Sequence, residues 1–224
     1  MKLHVFDSCP YCVRVKVLIG LKGLDCQINP MVLGQLPESV EGKLEKFSVP
    51  ILEESAPGNG DLTIMTESLD IFRKLDSIGT PLFCSYEPSK KVVELLAKLQ
   101  QAKAPLSYPR MPLMNLPELS SKEALMMFRT SREEAFGQTL EQAIENTPQY
   151  IPRVKEVVDE LEQALMQEAF ISGNRNLDID DVVAFAELRN LTMVGELNLS
   201  EQMQAYLDMI SSRSNVPLYV PAIF

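Results

Sequence analysis

The chain has 224 residues, of which 46% are hydrophobic and 23% charged, enough apolar material for a sizeable core. Its 21 basic and 31 acidic residues give a formal net charge of −10, which repels phosphate backbones and anionic lipids and speaks against nucleic-acid or membrane-surface partners. No apolar run approaches the ~18–20 residues of a membrane span. Residues 1–6 run into Asp7 and a Cys-Pro pair rather than an export signal, so a cytoplasmic location is expected.

In chain order, the first ~75 residues alternate strand and helix patterns. Leu3, Val5 and Phe6 lie in a short apolar strand. Residues 13–21 follow as a helix, with Val13, Val17, Leu18 and Leu21 on one stripe, and Gly23 closes it. Cys26, Gln27 and Ile28 begin a second strand, and residues 38–46 suit a short charged helix. Residues 49–52 and 62–65 make a strand pair across the Pro/Gly-rich turn at 56–60. A helix from Glu67 to Asp76, capped by Thr66, completes a βαβαββα order.

Beyond Gly79 strand patterns fade. Residues 80–88 read as an irregular linker, and a helix follows with Val92, Leu95, Leu96 and Leu99 on one face. Ser120 with Glu123 three positions on forms a capping-box pattern, and a long amphipathic helix is expected over 151–169. Asp178 and Asp181 open an apolar helix through Val182, Val183, Phe185, Leu188 and Leu191, and residues 200–211 form the last. The division expected is 1–77 (α/β), 78–88 (linker) and 89–224 (all-helical).

Four cysteines occur, Cys9, Cys12, Cys26 and Cys84, and a disulfide framework is not expected in a chain this large with no export signal and only two close cysteines. The informative pair is Cys9-Pro10-Tyr11-Cys12, between the first strand and the first helix. Proline is favoured at the first helical position, which makes Cys9 the N-cap. Free N–H groups and the helix dipole then favour the Cys9 thiolate and lower its pKa below the free value of ~8.5. Cys12, three residues on, lies on the same side and can reach it, so Cys9 is the attacking and Cys12 the resolving sulfur. Zinc is the competing reading, but it wants four ligands, and no second CxxC or HxxxH is present. The same neighbourhood offers Val49-Pro50 at a strand start and Thr66-Glu67-Ser68 at a helix start, where N–H groups and the Ser68 hydroxyl suit a carboxylate and the Glu67 side chain an ammonium. Locally, an ordinary strand-start proline and a well-capped helix explain those two features as well.

Taken together, Cys9-Pro10-Tyr11-Cys12, Val49-Pro50 and Glu67-Ser68 in this order of elements resemble the thioredoxin-fold glutaredoxins. The helical second half narrows the resemblance to the two-domain, glutathione-transferase-shaped glutaredoxin 2 family. Tyr108-Pro109-Arg110, the Phe128…Glu134-Ala135…Gly137 segment, and Asp180-Asp181 with residues 188–192 carry it. The resemblance implies a thioredoxin-like domain followed by an all-helical transferase-type domain. It implies a glutathione-dependent thiol-disulfide oxidoreductase acting on protein disulfides and glutathionylated proteins through Cys9 and Cys12, with glutathione as reductant and no metal. It further implies a cis Val49-Pro50 bond, Tyr11 beside the sulfur, Val49 pairing its backbone with glutathione, and Glu67 and Ser68 holding the γ-glutamyl end. Arg14, Lys16 and Lys22 are cations near in sequence for the glycine carboxylate. His4 reads as a satisfied core or edge residue. Two alternatives stay open: a transferase-like enzyme using Cys9, and a non-catalytic interaction module. With no long apolar heptad, a monomer is expected.

Overall fold

The computed structural model describes residues 1–44, 46–55, 62–166 and 175–221. The first half builds a four-stranded sheet in the order β2-β1-β3-β4, from β1 (Lys2–Val5), β2 (Gln27–Pro30), β3 (Ile51–Ser55) and β4 (Leu62–Met65). β1 pairs parallel with β2 and antiparallel with β3, which pairs antiparallel with β4. The parallel pair requires a crossover, supplied by α1 (Pro10–Lys22). α1 ends at Gly23, whose φ of 59° is the left-handed conformation that glycine adopts without a Cβ penalty. α2 (Ser68–Asp76) packs beside α1. This is the thioredoxin-like domain expected from the sequence.

Strand alternation sorts the two faces of the sheet. Leu3, Val5 and Leu52 point toward α1 and α2 and join a core with Val13, Val17, Ile71 and Phe72. His4, opposite Ile51 in the register, points to the other face, where Met31, Val40 and Ile51 cluster. There His4 Nε2 lies 2.8 Å from Glu53 Oε1, and Asn29 Nδ2 lies 2.7 Å from His4 Nδ1. His4 is a buried, partnered histidine.

That second face is covered by a turn-rich loop where a helix over 38–46 was expected. Residues 38–42 form turns, with Gly42 at φ 72°, and only Val40 among them is buried. A segment between Pro37 and a left-handed glycine, with one apolar anchor, has too little buried face to stabilise a helix. The 56–60 turn and the end of the long helix at 167–169 lie outside the described residues.

In the second half the regular elements among the described residues are helices: α3 (Lys90–Ser107), α4 (Lys122–Phe136), α5 (Leu140–Glu145), α6 (Thr147–Leu165), α7 (Ile179–Leu188) and α8 (Glu201–Ser214), with 3-10 turns at Tyr108–Leu113, Pro117–Leu119 and Arg189–Met193. Ser121, not Ser120, caps α4, accepting a bond from the Ala124 N–H. Asp178 and Asp181, expected to open α7, form a reciprocal capping box at its start. α6 starts at Thr147, four residues before the expected position, because Pro148 sits in its first turn, where a missing N–H costs nothing.

The two halves share one core. α1 packs against α7 and α8 across the domain boundary, and a Cβ built on Gly20 would lie 1.6 Å from the Ser214 carbonyl oxygen. Only glycine lets the two helix backbones approach this closely. On the linker side, buried Asp76 at the end of α2 accepts from the Leu82 and Phe83 N–H groups at 3.0 and 3.1 Å and from the Tyr86 hydroxyl at 3.0 Å. Lys22 Nζ stands 3.2 Å from its carboxylate.

Candidate active site

β1 ends at Val5, and the chain turns through Phe6, Asp7 and Ser8 into α1. Cys9 is the N-cap of that helix and Pro10 its first residue, as the sequence predicts. Cys9 is half-buried, Tyr11 is 44% exposed, and Cys12 is fully buried, one turn below. Both sulfurs are free thiols. The Cys9 side chain makes no capping bond of its own, so the first-turn N–H groups remain available to its thiolate.

The two thiols have opposite acidities. The Cys12 thiol, acting as a hydrogen-bond donor, lowers the Cys9 pKa; burial opposes this, and the backbone N–H groups of Cys12 and Tyr11 add to the lowering. Glu187, from the helical domain, pushes Cys9 back up. Cys12 is held well above the ordinary thiol range, first by burial and then by the Cys9 sulfur beside it. One sulfur is therefore prepared to be a thiolate and the other to stay protonated.

Two clefts flank this turn, and Tyr11 borders both. The smaller, about 170 Å3, is lined by Tyr11, Ser48, Val49, Thr66, Glu67 and Ser68. Four residues singled out from sequence, Tyr11, Val49, Glu67 and Ser68, are thus brought together. Pro50 is buried beside them, and the Val49–Pro50 peptide is cis. Thr66 does not cap α2: the N-cap is Glu67, whose side chain makes no capping bond. That leaves an uncapped helix N-terminus at the cleft, a ready site for a carboxylate.

The larger cleft, about 260 Å3, is lined by Cys9, Pro10 and Tyr11 together with Tyr108, Met111, Phe128 and Arg132 of the helical domain. Lys103 and Glu187, both buried, line it as an ion pair at 2.8 Å. Of the three cations near α1, Lys16 is paired with Asp7 at 2.7 Å and Lys22 with Asp76. Arg14 instead lies 4.5 Å over the Tyr11 ring, with no carboxylate partner among the described residues.

The loop before the nucleophile is held from the helical half, which sequence reasoning did not foresee. Glu118 accepts from the Asp7 N–H (3.1 Å), the Ser8 N–H (2.8 Å) and the Ser8 hydroxyl (2.6 Å). Arg189, 1% exposed, donates to the Asp7 carbonyl at 2.7 Å and pairs with its carboxylate at 2.9 Å. Tyr219 donates to the same carboxylate at 2.7 Å, and Asn190 to the Ser8 carbonyl at 2.9 Å. Burial raises the Asp7 pKa, but Arg189 and Lys16 outweigh it and hold the carboxyl well below its usual range. The segment 188–192 was noted for its resemblance without a role. The available signal was a charged and an amide residue following the apolar run of α7, where an unpaired polar group would be costly. Glu118 gave no such signal.

Among the described residues, no group of three or more His, Cys, Asp or Glu side chains could hold a metal ion, and no helix is long and apolar enough to cross a membrane.

The sequence matches the family model described as Glutaredoxin 2, C terminal domain, over residues 91–222, and that for the Glutathione S-transferase N-terminal domain over residues 3–80. It is 26% identical to Glutaredoxin 2 of Escherichia coli strain K12 over 219 residues, 97% of either chain. Its fold is similar to that of glutaredoxin 2 from Salmonella typhimurium in complex with glutathione, with a TM-score of 0.82 and 24% identity over 97% of this chain and 95% of that one. A glutathione S-transferase of Ceriporiopsis subvermispora in complex with glutathione is also similar, with a TM-score of 0.68 and 14% identity over 96% of this chain and 98% of that one. The two structural likenesses speak for the fold alone.

Proposed function

The chain belongs to the glutaredoxin 2 family and is a glutathione-dependent thiol-disulfide oxidoreductase, and we propose that its reaction runs through the Cys9 thiolate with Cys12 as the resolving thiol. The observation that carries this reading is the pair itself: a half-buried sulfur at a helix N-terminus, its pKa lowered, above a buried thiol whose pKa is raised.

The Cys9 thiolate attacks the glutathione sulfur of a mixed disulfide. A Cys9–glutathione bond forms, the old S–S bond breaks, and the other thiol leaves as its thiolate and takes a proton from solvent. A second glutathione thiolate then attacks the Cys9-bound glutathione, giving oxidised glutathione and the free Cys9 thiolate. The small cleft suits the bound glutathione, with its γ-glutamyl carboxylate on the N–H groups at Ser68 and its ammonium against Glu67. Val49 supplies backbone groups beside Pro50, and Arg14 is the cation available for the glycine carboxylate. For protein disulfides, Cys9 first bonds one substrate sulfur and releases the other as a thiolate; Cys12 then displaces the bound sulfur and closes a Cys9–Cys12 bond, which two glutathiones reduce, leaving as oxidised glutathione. Burial and the neighbouring Cys9 sulfur keep Cys12 protonated in the dithiol state, so it serves as a donor to Cys9 until that displacement step.

A transferase-like use of Cys9 needs no second thiol to resolve a mixed disulfide, and the family match does not favour that alternative. The net charge of −10 fits thiol and protein partners rather than nucleic acid. A dithiol poised for reduction by glutathione suits the cytoplasm, and we read the protein as a monomer, divided at 1–77, 78–88 and 89–224. α2 ending at Asp76 and α3 starting at Lys90 support that division.

The test is glutathione-dependent reduction of a glutathionylated substrate by wild type, Cys9→Ser and Cys12→Ser. Activity lost with Cys9 and kept with Cys12→Ser supports the assignment; activity surviving Cys9→Ser refutes it.

A further inference from the structure

The larger cleft contains a feature that the glutathione chemistry does not use. Arg132 on α4 lies 4.4 Å over the Tyr108 ring and 5.4 Å from the Phe128 ring, and Tyr108 stacks in turn with Phe136 at 6.1 Å. Phe128, Arg132 and Phe136 follow one another at four-residue steps on one stripe of α4, so the guanidinium is set in an aromatic shelf. Its Nε is buried without a hydrogen-bond partner, and no carboxylate among the described residues pairs with Arg132. The other charges in the cleft are satisfied: Lys103 and Glu187 neutralise each other, and Glu118 accepts three hydrogen bonds from Asp7 and Ser8. In a protein with ten more acidic than basic residues, an arginine left without a carboxylate in a cleft is a conspicuous anion receptor.

Resting on the glutaredoxin reading, we propose that this cleft is the subsite for the departing thiol of the mixed disulfide, and that Arg132 on its aromatic shelf selects a thiol carrying a carboxylate beside an apolar or aromatic group. Glutathione fills the small cleft, its sulfur lies between Cys9 and the departing sulfur, and the departing thiol extends from that junction into the larger cleft, which Cys9 and Tyr11 both line. There it meets Tyr108, Met111 and Phe128 as apolar contacts and Arg132 as the charged one. The atoms balance as in the reaction above: the thiolate expelled from the glutathione sulfur leaves through this cleft, and its carboxylate takes no part in the electron flow. Arg132 is a specificity residue that touches substrate and leaves the order of bond making unchanged.

The test uses two mixed disulfides of glutathione with the same aromatic thiol, one bearing a 4-carboxylate and the other the 4-carboxamide, turned over by the full-length protein with glutathione as reductant. The wild type is expected to prefer the acid by roughly three- to tenfold in kcat/KM, the size of a partly solvated charge-assisted hydrogen bond. That preference should fall as ionic strength rises. Taken relative to the uncatalysed exchange of the same two disulfides with glutathione, which carries their difference in leaving-group acidity, Arg132→Met should bring the ratio close to one and Arg132→Lys should restore part of it. The ratio is internally controlled, since a folding defect lowers both rates together, and the salt dependence needs no variant. A wild-type ratio equal to that of the uncatalysed exchange, or a preference beyond it that survives Arg132→Met, overturns the proposal. Turnover of neither substrate by wild type removes the glutaredoxin reading itself and the proposal with it.

Discussion

Arg189 Nη2 lies 2.9 Å from Asp7 Oδ2, which ties the end of the helical domain's most apolar helix to the residue two positions before Cys9. The pair is nearly sealed from solvent on the arginine side, with the Arg189 side chain 1% exposed and that of Asp7 26%. Its removal leaves a buried guanidinium without its counter-charge, a loss that outweighs the energy of the pair itself.

Asp7→Asn is therefore expected to destabilise the protein by roughly 2–4 kcal/mol near neutral pH, the lower end reflecting the solvent on the carboxylate side. The sign of the pH dependence follows from the depressed pKa of Asp7. The stabilisation is complete above the ordinary carboxylate value of ~4 and is lost as pH falls from there toward the depressed folded-state value. Denaturant midpoints for the two proteins should converge as pH drops from 6 toward 2. A gap of constant width across that range would refute the assignment.

Cys12 is expected to act on Cys9 before any resolving step. Its thiol is the largest influence lowering the Cys9 pKa, so Cys12→Ala should move the pH midpoint of Cys9 alkylation by iodoacetamide upward, toward that of an ordinary thiol. An unchanged midpoint would mean that the N–H groups of Tyr11 and Cys12 alone set the acidity.

Ser68 sits at the first position of α2 and is 7% exposed at the small cleft. Ser68→Ala should raise the KM for glutathione roughly three- to tenfold, the value of one hydrogen bond to a charged carboxylate, while kcat changes less. A fall in kcat at constant KM would place Ser68 outside ground-state binding.

Gly20→Ala tests the fit of the two domains. The added methyl group meets a backbone carbonyl 1.6 Å away, which no side-chain adjustment relieves. A loss of about 3 kcal/mol, or roughly 6–12 °C in Tm, is expected. Thermal unfolding indistinguishable from wild type would show that α1 and α8 can separate freely.

What the sequence made legible follows the distance over which each feature is decided. The Cys9–Cys12 turn is local: a strand, a proline at the first helical position and a three-residue spacing determine where each sulfur lies, and all of these are visible in a dozen residues. The Glu67-Ser68 helix start is nearly as local, although the cap is Glu67 and not Thr66. The 38–46 segment misled because its charges suit a helix surface, while the absence of a buried stripe and the left-handed Gly42 decide otherwise. Glu118, Arg132, Lys103 and Glu187 could not be read as site residues, since each reaches the Cys9 neighbourhood from the helical domain. Glu118 meets Ser8 across a separation of 110 positions, and no pattern within its own helix or turn records that contact.

Those long separations also set an order in time. Asp7 and Ser8, just before Cys9, leave a ribosome 182 positions ahead of Arg189 and Asn190, which seat them. At roughly 5–20 residues per second, the nascent thiol pair waits some ten to forty seconds for the groups that position it. During that interval the N-terminal turn has the local features of its helix start but lacks the far wall of its cleft. Translation thus makes the reactive sulfur early and completes its setting last.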